Sequence, residues 1–308
     1  MSTRVGWIGT GRMGVALAGR LLDAGHDVAV YNRTRSKTES LARRGVKVVE
    51  APVDLADREV VFVMVSGSDD LAQVMTGDGG LLTHSDAAPR VVIDSSTVSL
   101  AASAEARAEA GFRGTEFLAA PVSGNPKVVR AGKLTLAVSG PQEAFDQVRD
   151  LLLALGRGVT YVGEGEVARL VKICHNVFLG VMIQSLTEIT LLAERGGTTR
   201  AAFLEFLNDS VLGSTFTKYK TPALVNLDFT PTFTMPLLSK DFDLAYDAAH
   251  ELAVPMPLAT AAAQIVASAV GAGHRDLDFA TLILEQARRA GMTIEPENVQ
   301  VDDGLSTP

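Results

Sequence analysis

The first 164 residues alternate short, nearly continuous apolar runs with longer segments whose apolar positions recur at helical spacing. Runs at 4–8, 27–31, 46–49, 60–65, 90–94, 117–120, 133–138 and 159–162 read as strands buried on both faces, bounded by glycine or polar turn residues. The segments between them, such as 15–24, 68–75, 99–110 and 141–155, read as amphipathic helices. Strand and helix in alternation predict an α/β domain with a doubly wound parallel sheet. Beyond Gly165 the alternation stops. Helical periodicity covers 166–195, 200–208, 237–252, 257–270 and 277–290, which predicts an all-helical second domain. The pattern divides the chain into 1–164, 165–294 and an acidic tail, 295–308, with little to bury and hence expected to be poorly ordered. Segment 166–195 would be a helix of ~45 Å, longer than one compact domain needs. It is expected to form the domain junction and a dimer interface.

Length and composition agree with two globular domains. The chain has 308 residues, 47% hydrophobic and 21% charged. A formal charge of -8, with no run of Lys or Arg longer than two, argues against a nucleic-acid footprint. Cys174 is the sole cysteine, which excludes an intramolecular disulfide and any Cys-x-x-Cys metal site. The histidines, at 26, 84, 175, 250 and 274, are scattered, so no metal is expected. The first residues lack an apolar signal core, and no window reaches the ~18 uninterrupted apolar residues of a membrane span. A soluble, cytoplasmic protein acting on small molecules is the expectation.

The first apolar run ends at Gly9-Thr10-Gly11-Arg12-Met13-Gly14, and a helical pattern follows. Strand, glycine turn and helix in this order are the context in which G-x-G-x-x-G binds a dinucleotide. Gly9 permits the turn, Gly11 lets a pyrophosphate approach the backbone, and Gly14 lets helix and strand pack; the helix N-terminus holds the anion. The second strand ends without the acid that usually binds the adenosine ribose 2′-hydroxyl. It offers Asn32-Arg33-Thr34-Arg35, whose guanidinium can pair with a 2′-phosphate, so NADP is the expected cofactor. The alternative is a solvated charge cluster. Val65 and Ser66, at the end of the fourth strand, join the cofactor-binding candidates.

Two later strand ends carry further polar turns. Asp94-Ser95-Ser96-Thr97 lies at the carboxyl end of its strand, where open α/β sheets bind ligands, and Thr97 can touch nicotinamide or substrate. The same cluster can also cap the helix that follows. Ser123 and the Gly124 amide form a carboxylate cradle or a plain turn, with Asn125 beside them. Lys172 and Asn176 stand one helical turn apart in a largely apolar run. Burial lowers an ammonium pKa toward working pH and would make Lys172 a proton donor and acceptor. A lysine whose stem simply lies along apolar surface is the other reading.

Taken together, these motifs resemble the β-hydroxyacid dehydrogenase, or 3-hydroxyisobutyrate dehydrogenase-like, family over nearly the whole chain. The resemblance rests on the loop from Gly9 to Gly14, on Asp94 to Thr97, on Pro121-Val122-Ser123-Gly124, and on Lys172 with Asn176, joined by Lys240-Asp241 further on. It implies an N-terminal Rossmann domain, a helical C-terminal domain, and an NADP-dependent hydride transfer between the nicotinamide and a small hydroxyacid or aldehyde-acid. The family's catalytic lysine falls on Lys172 and its companion asparagine on Asn176. Its substrate turn falls on Ser123 and Gly124, its strand-end threonine on Thr97, and a cofactor-directed lysine on Lys240. Asn125 stands where the family has glycine, and Leu100 where a proline is common. A homodimer or homotetramer and a short carboxylate substrate, such as glyoxylate or a semialdehyde, are expected. An imine reductase and a non-catalytic NADP-binding interaction protein share the architecture; loss of the lysine would mark either one.

Overall fold

The computed structural model describes residues 2–84 and 86–305. The chain forms two compact units, Met1–Lys172 and Ile173–Pro308.

In the first unit, β1 (Arg4–Ile8), α1 (Arg12–Asp23), β2 (Asp27–Tyr31), α2 (Glu39–Ala42), β3 (Lys47–Val48), β4 (Val60–Val63), α3 (Ser68–Thr76), β5 (Val91–Asp94), α4 (Leu100–Phe112) and β6 (Glu116–Ala119) follow the expected alternation. The unit continues with β7 (Val122–Ser123), α5 (Pro126–Arg130), β8 (Thr135–Ser139), α6 (Gln142–Leu153) and β9 (Gly158–Gly163). Among the described residues the strands form one sheet in the order β3-β2-β1-β4-β5-β6-β8-β7, with β9 beside β8. Neighbours from β3 to β6 are parallel. The far edge is mixed, because the chain turns back at Gly124 and α5, so β8 runs antiparallel to β6 and β7. The sheet buries both faces. Val5, Trp7, Val30 and Phe62 point to one core, and Ile8, Val61, Val63 and Val92 to the other, which is why these strands read as continuous apolar runs.

The helix α7 (Val167–Arg195) begins in the first unit and continues into the second. By length and mean hydropathy it could cross a membrane, yet half of its most apolar window is buried within the protein. The second unit continues with α8 (Arg200–Asp209), α9 (Thr215–Asn226), α10 (Met235–Glu251), α11 (Pro257–Gly271) and α12 (Leu282–Arg289). Leu204, Leu224, Leu238, Phe242, Val266, Phe279 and Ile283 form its core. The helix α9 has no counterpart in the periodicity reading. Its buried face includes Thr217, Lys220 and Thr221, and Pro222 lies inside it, so neither an apolar stripe nor a clean helical sequence marks it. A reciprocal capping box at Ser214 and Thr217 starts it.

Lys220 is kept in this interior by Asp278. Its Nζ lies 2.5 Å from Asp278 Oδ1, donates to Thr232 Oγ1, and sits 4.0 Å from the Phe279 ring centre. Burial alone would raise the Asp278 carboxyl pKa, but the Lys220 charge and the hydrogen bonds from Lys220, Thr232 and Ala280 outweigh it and hold it below the ordinary value.

The tail departs from expectation. Glu297 accepts from the first amides of α8, at Arg200 and Ala201, and the fully buried Arg200 donates to the carbonyls of Val225 and Glu295. Asn226 and Val299 exchange two hydrogen bonds. These polar bonds pin the segment as far as Val299, and beyond it Val301 packs against the core and Leu305 is buried. Residues 306–308 lie outside the described residues.

Candidate active site

The glycine loop is built as its spacing demands. Gly9 has φ +97°, and a Cβ there would fall 2.1 Å from the Met64 carbonyl; one on Gly14 would fall 1.9 Å from the Gly9 carbonyl. Over Gly11 a Cβ would meet nothing within 4 Å, so space lies open where a ligand backbone has to approach. The helix α1 starts at Gly11 without any side-chain cap, which leaves its first amides to an anion. Trp7, fully buried, donates from Nε1 to the Gly9 carbonyl at 2.9 Å and fixes the turn from below. Met13 packs on the core, while Arg12 is exposed at the first turn.

Beside this loop lies a cleft of about 150 Å³, lined by Ile8, Gly9, Gly11, Tyr31, Asn32, Arg33, Thr34, Lys37, Met64, Val65, Ser66, Asp70, Gln73 and Val74. The candidates Asn32, Arg33, Thr34, Val65 and Ser66 therefore meet in one place. Asn32 has a structural duty there: its Oδ1 accepts from the Thr10 amide at 2.8 Å and its Nδ2 donates to the Thr34 carbonyl. Thr10 is buried, and its Oγ1 lacks a hydrogen-bond partner among the described residues. Arg33 is 79% exposed and paired with Asp70 at 2.8 Å, and Arg35 is paired with Glu50. Lys37 lines the same cleft. The open space over Gly11 and the uncapped helix fit the pyrophosphate of a dinucleotide.

The strand-end loop is held from α7. Arg169 is buried and donates to Asp94, to the Ser96 carbonyl at 2.6 Å and to Ser103 Oγ at 3.0 Å. Asp94 in turn accepts from the Ser96 amide and hydroxyl, and the Ser96 hydroxyl accepts from the Val65 amide at 2.9 Å. Thr97 is thus carried on a loop fixed on both sides. Ser99, not Thr97, caps α4, accepting from the Ala102 amide. Lys172 follows Arg169 by three residues on α7, so the two lie toward the same side of the helix.

The Ser123-Gly124 turn joins β7 to α5. Gly124 has φ +143°, and a Cβ there would lie 2.9 Å from Val128 Cγ1, so the position calls for glycine. Asn125 accepts through Oδ1 from the Lys127 and Val128 amides and caps α5. Its Oδ1 is spent on backbone order where glycine would leave the turn looser, while its buried Nδ2 lacks a hydrogen-bond partner among the described residues.

In the second unit, Asn176 is buried and donates from Nδ2 to Asp241 Oδ2 at 2.5 Å, while its Oδ1 lies 2.9 Å from His175 Nδ1. Because Asp241 fixes which end of the amide donates, the Asn176 oxygen faces His175 as acceptor. Lys240 is half-buried, its Nζ 3.9 Å from Asp241 Oδ1. Asp241 therefore connects both polar residues of the C-terminal motif.

Known proteins resemble the chain over nearly its whole length. Residues 4–163 match the model of the NAD-binding domain of 6-phosphogluconate dehydrogenase, and residues 163–285 match the NAD-binding domain of NADP-dependent 3-hydroxyisobutyrate dehydrogenase. An uncharacterized oxidoreductase, YfjR, of Bacillus subtilis is 33% identical over 91% of this chain and 98% of its own. Glyoxylate/succinic semialdehyde reductase 1 of Arabidopsis thaliana is 30% identical over 91% of this chain and 96% of its own. Mycobacterium tuberculosis 3-hydroxyisobutyrate dehydrogenase, in a structure with L-serine, superposes with a TM-score of 0.80 at 28% identity, covering 92% of this chain and 99% of that one. The chain belongs to the 3-hydroxyisobutyrate dehydrogenase-like, or β-hydroxyacid dehydrogenase, family.

As a member of this family it is an NAD(P)-dependent oxidoreductase with a Rossmann-like α/β unit followed by a helical one. Periodicity and motif reading missed Lys37, Asp70 and Arg169 as parts of the site, and Trp7 as its support. Lys37 had a signal, since it stands four residues after Arg33 in the same basic cluster. Asp70 and Arg169 had none, because only folding brings them to their partners.

Proposed function

We propose that this family member is an NADP-preferring reductase of short aldehyde or keto acids, with Lys172 as the proton donor. The observation that carries the cofactor half is the cleft in which Arg33, Thr34 and Lys37 meet beside the uncapped start of α1. A 2′-phosphate is a dianion, and a guanidinium with an ammonium and a hydroxyl is the donor set that suits it. The substrate half rests on the Ser123-Gly124 turn, whose hydroxyl and amide can hold one carboxylate. No basic side chain is part of that turn to neutralise a phosphate as well.

A bound nicotinamide would supply the hydride. Lys172 Nζ would give a proton to the carbonyl oxygen on reduction and take it back on oxidation. Asn176, held by Asp241, would keep that end of α7 in one arrangement, and Thr97 would be presented by the loop that Arg169 locks. The relative from Arabidopsis thaliana named for glyoxylate and succinic semialdehyde reduction supports the choice of short aldehyde acids. For quaternary structure, Val171, Phe178, Ile189 and Leu192 are 39–74% exposed along α7, and this apolar stripe supports a homodimer or homotetramer. The deciding experiment is a panel of aldehyde and keto acids with NADPH and NADH, followed by absorbance. Turnover of short aldehyde acids with NADPH is expected; activity confined to imines, or none at all with an intact Lys172, would overturn the reading.

A further inference from the structure

The end of β2 has no acid, yet the nucleotide cleft does contain one. Asp70, in the first turn of α3, reaches Arg33 across 37 positions of sequence. Both residues line the cleft, and Arg33 Nη1 lies 2.8 Å from Asp70 Oδ1. Asp70 is 28% exposed and Arg33 79%, so the carboxylate is the anchored member and the guanidinium the one that has to be positioned. Its place at the start of α3 also favours a negative charge there.

We propose that Asp70 sets the cofactor preference of this chain: by holding the Arg33 guanidinium it weakens the 2′-phosphate site and keeps the cleft usable by a cofactor with a free ribose 2′-hydroxyl. The proposal rests on the reading of this cleft as an NADP site. A 2′-phosphate has to take the guanidinium from Asp70 or share it, with a carboxylate close to the incoming dianion. A 2′-hydroxyl carries no charge and pays neither penalty. The fold thus supplies from α3 an acid that dinucleotide-binding folds usually place at the end of β2, and it does so opposite the residue that favours the phosphate. Arg33 alone would give a stronger NADP preference than Arg33 facing Asp70.

The test is calorimetric titration of the full-length protein without substrate, using NADP+ against NAD+ and 2′,5′-ADP against 5′-AMP. Wild type, Asp70→Asn, Arg33→Ala and the double variant are compared, with Asp70→Ser as a second removal of the charge and thermal unfolding as the check on folding. Removing the charge is expected to raise the ratio of NADP+ to NAD+ affinity about fivefold, the scale of one exposed ion pair. In the Arg33→Ala background the same change is expected to have little effect, since Asp70 acts through Arg33. An unchanged or lower ratio in both Asp70 variants overturns the proposal, as does a full rise without Arg33. If wild type binds 2′,5′-ADP no more tightly than 5′-AMP and Arg33→Ala changes neither, the NADP reading itself falls and the proposal with it. If wild type prefers 2′,5′-ADP and the Asp70 variants do not alter that preference, only the role of Asp70 is lost.

Discussion

Arg169 on α7 and Asp94 at the end of β5 form a buried ion pair, 2% and 0% exposed, between residues 75 positions apart. The pair sits beneath the loop that carries Thr97, and Arg169 also donates to the Ser96 carbonyl. The start of the lysine-bearing helix is thereby fixed to the strand end where ligands of such sheets bind.

Arg169→Met should destabilise the protein by about 3–5 kcal/mol, because it leaves the Asp94 carboxylate buried without its counter-charge. Asp94→Asn in the same chain should recover part of that loss. Urea unfolding of the two single variants and the double variant measures it. A loss below about 1 kcal/mol in Arg169→Met would show that the pair does not hold the loop.

Lys172→Ala should lower kcat by ~10²- to 10⁴-fold, the usual contribution of a general acid, while cofactor affinity stays near wild type. The lysine is assigned to the substrate oxygen and is not among the residues lining the nucleotide cleft. Steady-state rates together with cofactor titration separate the two effects. A near-normal kcat across neutral pH would remove Lys172 from the chemistry.

The parts of the fold that could be read from sequence are those encoded locally. Gly9 to Gly14 follow a strand and open a helix within a few residues, and apolar strands such as 60–63 declare themselves by composition. Arg169 and Asp70 could not be read in the same way, and Asp241 entered only as part of the Lys240-Asp241 motif, since each gains its role from a partner that only tertiary packing supplies. The helix α9 escaped because Thr217, Lys220 and Thr221 face inward beside Ala223, Leu224 and Val225, which mixes polar with apolar residues on the buried side and blurs the pattern on which amphipathicity depends. The tail escaped for a related reason: Glu297 and Asn226 order it through hydrogen bonds, which composition does not reveal.

Replacing Arg33 and Lys37 together by Ala should reduce kcat/KM with NADPH relative to NADH by roughly tenfold to a hundredfold. A lost charge-assisted bond to a phosphate costs ~1.5–3 kcal/mol. The two residues line one cleft, so the double change removes the cationic rim that a single change would leave half in place. Matched kinetics with the two cofactors provide the measurement; an unaltered ratio would place the 2′-phosphate elsewhere.

Stability should fall at acid pH partly through Glu285. Hydrogen bonds from Arg288 lower its carboxyl from 4.5 to about 2, against the opposing effect of burial and with help from Arg289 and Ser268. A depressed folded-state pKa means that the contribution is fully present above the unfolded value and is lost as pH falls from about 4.5 toward 2. Glu285→Gln should therefore be less stable than wild type at neutral pH, with the gap closing across that window. Unfolding curves between pH 2 and about 7 would show it; a gap independent of pH would contradict the ionic role.

The substrate assignment gives the last expectation. The Ser123-Gly124 turn offers a hydroxyl and an amide, and Asn125 is committed through Oδ1 to capping α5. Such a turn is neutral, so it suits a single carboxylate held by directed donors better than a phosphate, which calls for cations. Short aldehyde acids should accordingly exceed their uncharged amide or aldehyde analogues in kcat/KM, because a site built to donate to a carboxylate leaves those donors unpaired when it is missing. Reduction with NADPH should also outpace oxidation of the matching alcohol at neutral pH, as suits a cofactor that cells keep reduced. Assaying each acid beside its analogue, in both directions, tests the two claims separately. Equal kcat/KM for acid and analogue, or strong activity on phosphorylated sugar acids, would remove the carboxylate from the recognition and direct the search toward neutral carbonyls and imines.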